Sequence, residues 1–517
     1  MAAVRVRLDR APAHKLHPLE GFGAQFNANI FRPASMFPAA TAAKEGQPRA
    51  LTPGQLNELR ATVKNLKPGH SRIFIHRELV AGPQPPAKEL EALLQSVRLA
   101  QHGGANVNLT FWGQGTYAGK ARLKGLKWPE PGLLDWPRQK EQQGKFKWPD
   151  ELRQGQVSAP AELMRRFANI IKLARAEGAC ITHVTIQNEP NGVGTDIAVK
   201  GIPRLSMRMY EWLYRLLDKE LRKLDDPLSQ APTLRDAIKL VGGDLVLEGN
   251  SGQNAWLAYM RANMDVPRPQ FPRVLDGYSI HVYWDPGDDL AGFPRKLEKR
   301  LENLPKILRE LGIDRPLYVT EYGVKKQGAS RPEPGGRGSG QSIEFSAEVA
   351  FQHAWFNALA PQCGCVGFAK WVLYRTDVPA HFGEWGMIDA PNAPSPRTAF
   401  GRSPTYRVTR LFNHLVEPGW KAAGLGRDAS RTVLASKFSN GNQESVAILN
   451  RGTDARQVVV EGVKPRTPYF VAVWNRDGTG GPAELLAAPI TSTAAREATV
   501  DVPKNGVVAI STRPLRL

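Results

Sequence analysis

Two short stretches carry carboxylates where chemistry is plausible: Gln187-Asn188-Glu189-Pro190 and Thr320-Glu321-Tyr322-Gly323. Each closes an apolar run rich in Val, Ile and aromatic residues, His183 to Glu189 in one case and Pro316 to Tyr322 in the other. A carboxylate at the end of a buried strand is expensive to desolvate unless it faces a pocket or is paired. Two of them at equivalent strand ends are candidates for divided acid and base work, one holding a proton while the other stays ionised. Helix capping is the alternative for such residues, but that role prefers Ser, Thr, Asp or Asn to Glu.

The elements that position them follow from hydrophobic period. From about residue 20 to residue 415, short apolar runs alternate with longer amphipathic stretches, the pattern of repeated βα units. Eight runs begin at Gly21, Ser71, Asn106, His183, Lys239, Leu275, Pro316 and Val366. Between them, segments such as Lys88 to Gly103 and Ala161 to Gly178 show helical spacing and end in Gly or basic residues. Eight units fit an α/β fold, a closed (β/α)8 TIM barrel over residues 20–415, whose active site lies at the C-terminal ends of its strands. Residues 416–517 change character, with closely spaced alternating strands from about Arg431 separated by Asn-Gly, Asp-Gly and Gly-Gly turns. They predict a C-terminal antiparallel β-sandwich domain, to which residues 1–19 can add a strand through Val4-Arg5-Val6-Arg7-Leu8.

Composition narrows the class. The 517 residues are 42% hydrophobic and 23% charged, ordinary for a folded chain with a large core. No run of 18 or more apolar residues occurs, so no membrane-spanning helix and no membrane partner are expected. The N-terminus lacks the apolar stretch of a secretory signal peptide. Cys180, Cys363 and Cys365 are too few for a disulfide framework and do not complete a zinc site, and they read as buried thiols. Lys and Arg exceed Asp and Glu by 20, yet no zinc finger, basic zipper or RNP pattern accompanies the charge, so nucleic acid is not expected as a partner.

At the level of motifs the chain resembles a clan A glycoside hydrolase. The resemblance rests on Thr185 to Pro190, Leu317 to Gly323, Ser279 to Tyr283, Lys370-Trp371 and Glu20 to Ala24, and with the trailing sandwich it is similar to family 30 and its relatives in families 39 and 5. It implies a retaining enzyme acting on a β-linked oligo- or polysaccharide without metal or organic cofactor. Glu189 would be the acid/base and Glu321 the nucleophile, with the carboxyls about 5 to 5.5 Å apart as retention requires. Asn188 would bond the sugar 2-hydroxyl. Tyr283 would donate to the nucleophile, with His281 on the same strand face, and Arg72 would pair with the nucleophile. Trp371 would floor the pocket, and Trp385 would frame it within the loop from Thr376 to Asp389, where His381 and Glu384 are further possible contacts. Many clan members carry His at the end of strand three, where this chain has Phe111-Trp112-Gly113-Gln114. Trp112 would line the pocket instead. The resemblance also implies a secreted or periplasmic protein. The alternative is a non-catalytic carbohydrate-binding protein on the same fold.

The long segment from Gln114 to Asp150 interleaves Trp128, Trp136 and Trp148 with an excess of Lys and Arg, and Lys325, Lys326, Arg331 and Arg337 follow strand seven. Indole faces stack on sugar rings while Lys and Arg meet carboxylates or sulfates, so an acidic polysaccharide would suit this surface. A solvated loop packed on the barrel rim would account for it equally.

Overall fold

The computed structural model describes residues 3–8, 16–26, 28–31, 51–80, 82–112, 159–191, 207–246, 253–267, 271–284, 294–324, 344, 346–375, 385–389, 401–475 and 483–515. After β1 (Val4–Arg7), eight strands form one parallel sheet: β2 (Gly21–Ala24), β3 (His70–His76), β4 (Asn106–Trp112), β5 (Ile181–Thr185), β6 (Lys239–Val246), β7 (Gly277–Trp284), β8 (Leu317–Val324) and β9 (Cys365–Lys370). Their order is β2-β9-β8-β7-β6-β5-β4-β3. Eight longer helices accompany them: α1 (Pro53–Leu66), α2 (Ala87–His102), α3 (Ala159–Ala176), α4 (Met207–Arg222), α5 (Gln253–Met260), α6 (Arg295–Glu310), α7 (Ala347–Leu359) and α8 (Pro404–Leu415). Strands covered on both faces read as continuous apolar runs, and β8 and β9 are buried throughout. No described helix is long and apolar enough to cross a membrane.

Two strand ends differ from the sequence expectation. The run from His183 to Glu189 was expected as strand throughout, but β5 starts at Ile181 and its last pairing to β4 is Thr185 with Thr110. Gln187, Asn188 and Glu189 therefore lie on the chain leaving the sheet. Likewise β9 ends at Lys370, and Tyr374–Arg375 forms a separate strand, β10, parallel to β11 (Ile388–Asp389). Past Lys370 the apolar run continues through Trp371-Val372-Leu373, so composition overextends β9, whereas past Thr185 only Ile186 precedes the polar Gln187-Asn188-Glu189. Cys363 and Cys365 are buried as expected, with burial pushing the Cys365 thiol up to about 12. Cys180 is only half-buried, its sulfur 3.7 Å from Gln230 Oε1.

The chain divides into two compact units, residues 1–71, 99–105 and 282–517, and residues 72–98 and 106–281. In the first, β2 pairs with β9 and β9 with β8. At the other end of the sheet order, Gly69 N–H donates to Phe22 O at 2.7 Å. This approach is close: a Cβ on Gly23 would lie 1.7 Å from His70 O. Gly23→Ala is expected to destabilise the protein by about 2–3 kcal/mol, because the obstructing atom is backbone and cannot rotate away. Urea unfolding measures it, and a loss under about 0.5 kcal/mol would show that β2 and β3 separate freely. In the second unit β4, β5, β6 and β7 pair in turn.

The first unit also holds the sandwich. Its larger sheet has the order β12 (Lys421–Arg427), β13 (Val433–Ser439), β14 (Glu444–Asn450), β19 (Gly506–Ser511), β16 (Pro468–Asn475), β17 (Ala483–Thr491). The smaller sheet is β1, β15 (Arg456–Glu461) and β18 (Glu497–Val502), with β1 parallel to β15. Val6, Val433, Ile448, Val458, Val500 and Ile510 meet in the core between them. Strand β12 lies ahead of the residue where strand character was expected to begin. Its sequence, Lys-Ala-Ala-Gly-Leu-Gly-Arg, has weak strand preference, and its glycines are needed where Leu8 O and Arg7 O would stand 2.4 and 2.5 Å from a Cβ on Gly424 and Gly426.

Candidate active site

In the unit of residues 72–98 and 106–281, residues of β3, β6 and β7 and of the chain leaving β5 meet in a buried polar group. Glu189 follows the exit of β5 with φ +47. A left-handed backbone at a non-glycine residue costs about 1–3 kcal/mol and persists only where its surroundings dictate it. Its Oε1 lies 2.9 Å from His281 Nδ1 on β7. The other ring nitrogen, Nε2, is 3.6 Å from Asp244 Oδ2 on β6. Asp244 is fully buried, also has a left-handed backbone at φ +44, and accepts from Ser279 Oγ at 2.7 Å and Arg72 Nη2 at 2.5 Å. Its own N–H donates to Ser279 Oγ at 2.7 Å.

Arg72, on β3 and fully buried, spreads its donors over three strands' neighbours: Thr110 Oγ1 at 2.9 Å, Asn188 Oδ1 at 2.6 Å and Asp244. The guanidinium also lies 4.5 Å over the ring of Phe74. Two charges this deep are tolerable because each is paired and their remaining hydrogen-bonding capacity is used. Arg72 can only donate, so the Asn188 side-chain oxygen faces it and the amide NH2 is turned away as a donor. Of the residues expected from sequence, Arg72 and Asn188 share one hydrogen bond and Glu189 and His281 another, and the two pairs meet at Asp244, which accepts from Arg72 and lies 3.6 Å from His281 Nε2. Asp244, not expected from the sequence, lies inside β6 next to Gly242-Gly243.

In the other unit, Glu321 on β8 is 5% exposed and its Oε2 accepts from Tyr283 Oη at 2.6 Å. Trp371, also 5% exposed, stands directly after β9, and its N–H donates to Tyr322 O at 3.1 Å. The Trp371–Val372 peptide is cis. Half-buried Trp385 donates its indole N–H to Val324 O at 2.9 Å. The backbones of both Trp residues meet a buried cluster that the sequence did not announce. Lys370 Nζ donates to Glu344 Oε1 at 2.5 Å, to Trp385 O at 2.8 Å and to Trp371 O. His353 Nε2 stands 3.1 Å from Glu344 Oε2. Burial opposes the Glu344 charge, yet Lys370 and His353 outweigh it and hold the carboxyl at about 2. Burial and that charge together push the Tyr322 hydroxyl well above the ordinary tyrosine range.

Trp112 is the last residue of β4, and its side chain lies outside the described residues. So do the basic, Trp-rich segment from Gln114 to Asp150, His381, Glu384 and the four basic residues after β8.

No protein-family model matches the chain. No curated protein matches it in sequence. Solved structures do match its fold. SrfJ from Salmonella typhimurium is 16% identical, with 99% of this chain and 93% of that chain covered at a TM-score of 0.55. The catalytic domain of GH30 xylanase C from Talaromyces cellulolyticus is 11% identical, covering 98% and 99% at 0.60. The GH39 enzyme from Xanthomonas axonopodis pv. citri is 13% identical, covering 99% and 97% at 0.50. The eight-stranded parallel sheet with its helices and the two-sheet sandwich thus give this chain the fold of the clan A glycoside hydrolases.

Proposed function

We propose that the chain is a retaining glycoside hydrolase that cleaves a β-linked glycan by double displacement, with Glu189 as acid/base and Glu321 as nucleophile. The observation that carries the reading is the treatment of the two carboxylates within this fold. Glu189 follows β5 and Glu321 lies within β8 of the one parallel sheet, and each is engaged by a side chain from β7, Glu189 by His281 and Glu321 by Tyr283. A hydroxyl donor on Glu321 stabilises its negative charge.

In the first step a Glu321 oxygen bonds to the anomeric carbon while the glycosidic C–O bond breaks, and Glu189 gives its proton to the departing oxygen. In the second, water loses a proton to Glu189, its oxygen bonds to the same carbon, and the ester to Glu321 breaks. The Asn188 amide donates to the sugar 2-hydroxyl, and Trp371 offers an apolar face to the ring. Arg72 serves the site through Asn188 and Asp244. The surplus of Lys and Arg over Asp and Glu suits an acidic polysaccharide as substrate, and cleavage of such a glycan should then weaken as salt rises.

Mass spectrometry of products from a panel of neutral and acidic β-glycans, with wild type and Glu321→Ala, tests the proposal. Oligosaccharides released only by the wild type support it. Tight glycan binding with no product from either would leave a carbohydrate-binding protein instead. Tyr283→Phe is expected to lower kcat/KM roughly 10- to 100-fold, the worth of a hydrogen bond to a charged group, with little change in stability. An unchanged kcat/KM would remove Glu321 from the nucleophile's role.

A further inference from the structure

The ladder between β5 and β6 is short: His183 pairs with Lys239 and Val184 with Leu240. Strand β5 then ends, while β6 runs on to Val246 with a bulge against β7 between Gly242 and Leu245. Backbone groups past the ladder need other partners, because a buried amide or carbonyl left unpaired is costly. Two tyrosines of α4 supply them. Tyr210 and Tyr214 stand one turn apart and both are fully buried. Tyr214 Oη donates to Val241 O at 2.5 Å and accepts from Ile186 N–H at 3.2 Å. Tyr210 Oη accepts from Gly243 N–H at 2.8 Å and lies 3.1 Å from Tyr214 Oη.

The proton order in this chain is determined by its ends. Gly243 N–H can only donate and Val241 O can only accept, so the Tyr210 hydroxyl donates to Tyr214 and the Tyr214 hydroxyl to Val241. Burial pushes both phenols well above the ordinary tyrosine range, so both hydroxyls keep their protons. The tie reaches the roots of the two strained residues. Ile186 is three residues before Glu189, and Gly243 immediately precedes Asp244, the two left-handed positions that face each other across His281.

We propose that Tyr210 and Tyr214 are positioning residues for Glu189, their linked hydroxyls fixing the exit of β5 against the bulge of β6 and thereby the angle at which the carboxyl meets its proton acceptor. The proposal rests on Glu189 being the acid/base. Neither tyrosine is exposed to touch substrate, and each acts through the backbone it holds.

Tyr214→Phe and Tyr210→Phe each remove one oxygen and keep the ring. Both are compared with wild type on a glycan it cleaves and on the 2,4-dinitrophenyl glycoside of the same sugar, reading kcat/KM, which reports the first bond-breaking step. Dinitrophenolate departs without a proton, whereas the glycan's leaving oxygen needs one. The expected result is a loss of about 10- to 100-fold on the glycan with KM changed less than about twofold, and less than about twofold loss of kcat/KM on the dinitrophenyl glycoside. Tyr210→Phe, which loses only the bond from Gly243 and the link to its neighbour, should show the smaller glycan loss and remains informative if Tyr214→Phe does not fold. Equal losses on both substrates, or none on either, would overturn the positioning role while leaving the hydrolase reading intact. A wild type that turns over neither substrate would overturn the acid/base reading and the tie's role with it.

Discussion

Glu321→Ala should lose glycan cleavage by roughly 10^4-fold or more, and sodium azide should restore turnover of an activated glycoside with inversion at the anomeric carbon. Removing the side chain takes away the nucleophile and leaves a space on one face of the sugar. Azide entering there bonds to the anomeric carbon as the activated leaving group departs, giving an α-azide from a β-glycoside. Glu189→Ala predicts the opposite stereochemistry. There Glu321 still forms the ester when the leaving group needs no proton, and azide then displaces it from the other face, giving a β-azide after two inversions. Proton NMR of the azide products distinguishes them. The same anomer from both variants, or the two anomers exchanged, would show that the roles of the carboxylates have been misassigned. Tyr283 sharpens the expectation: in Glu321→Ala its hydroxyl loses the acceptor it holds at 2.6 Å, so a Tyr283→Phe background should cost Glu321→Ala much less than it costs the wild type.

Much of the barrel was legible because a strand covered on both faces must be apolar whatever surrounds it. The eight runs found by composition correspond to β2 through β9. Their ends were less legible, since the residue where a ladder stops depends on the partner strand. Lys370 ends β9 while Trp371-Val372-Leu373 continue the apolar run, and Thr185 ends β5 four residues before Glu189. The site divides along the same line. Asn188 and Glu189 sit just past β5, where a rule about strand ends can find them, whereas Arg72 and His281 lie inside β3 and β7 and rest on the motif resemblance. Asp244 is hidden because nothing in Gly242-Gly243 distinguishes an ordinary strand from a bulge that turns the next residue into a left-handed conformation. Tyr210 and Tyr214 escaped for another reason: on α4 they occupy positions that an amphipathic pattern assigns to the core, and only the frayed β5–β6 ladder gives their hydroxyls a task. Glu344, His353 and Lys370 come from separate elements, and their meeting is a tertiary fact that no local period records.

That last cluster sets the largest expected effect on stability. Lys370→Met is expected to cost about 3–5 kcal/mol near neutral pH, because it leaves the Glu344 carboxylate buried without its nearest cation and takes the donor from the Trp371 and Trp385 carbonyls. The pH dependence separates this from a packing defect. Glu344 is held at about 2 in the folded protein against an ordinary 4.5, so between those values the unfolded chain binds more protons than the folded one. Stability therefore rises with pH through that window, and the contribution of Glu344, roughly 3 kcal/mol, is complete above about 4.5 and lost as pH falls through about 2. Without Lys370 burial dominates and the carboxyl moves upward, so the variant's own acid limb weakens or reverses. The difference between variant and wild type in urea unfolding should thus be largest near pH 7 and shrink toward pH 3. The double variant Lys370→Met/Glu344→Gln removes both charges and should recover much of the loss, since a neutral pair of similar volume needs no counter-ion. A penalty that stays constant with pH and simply adds to that of Glu344→Gln would mean that the ion pair contributes no coupling, and that the indole-bearing segment after β9 is held by its packing alone.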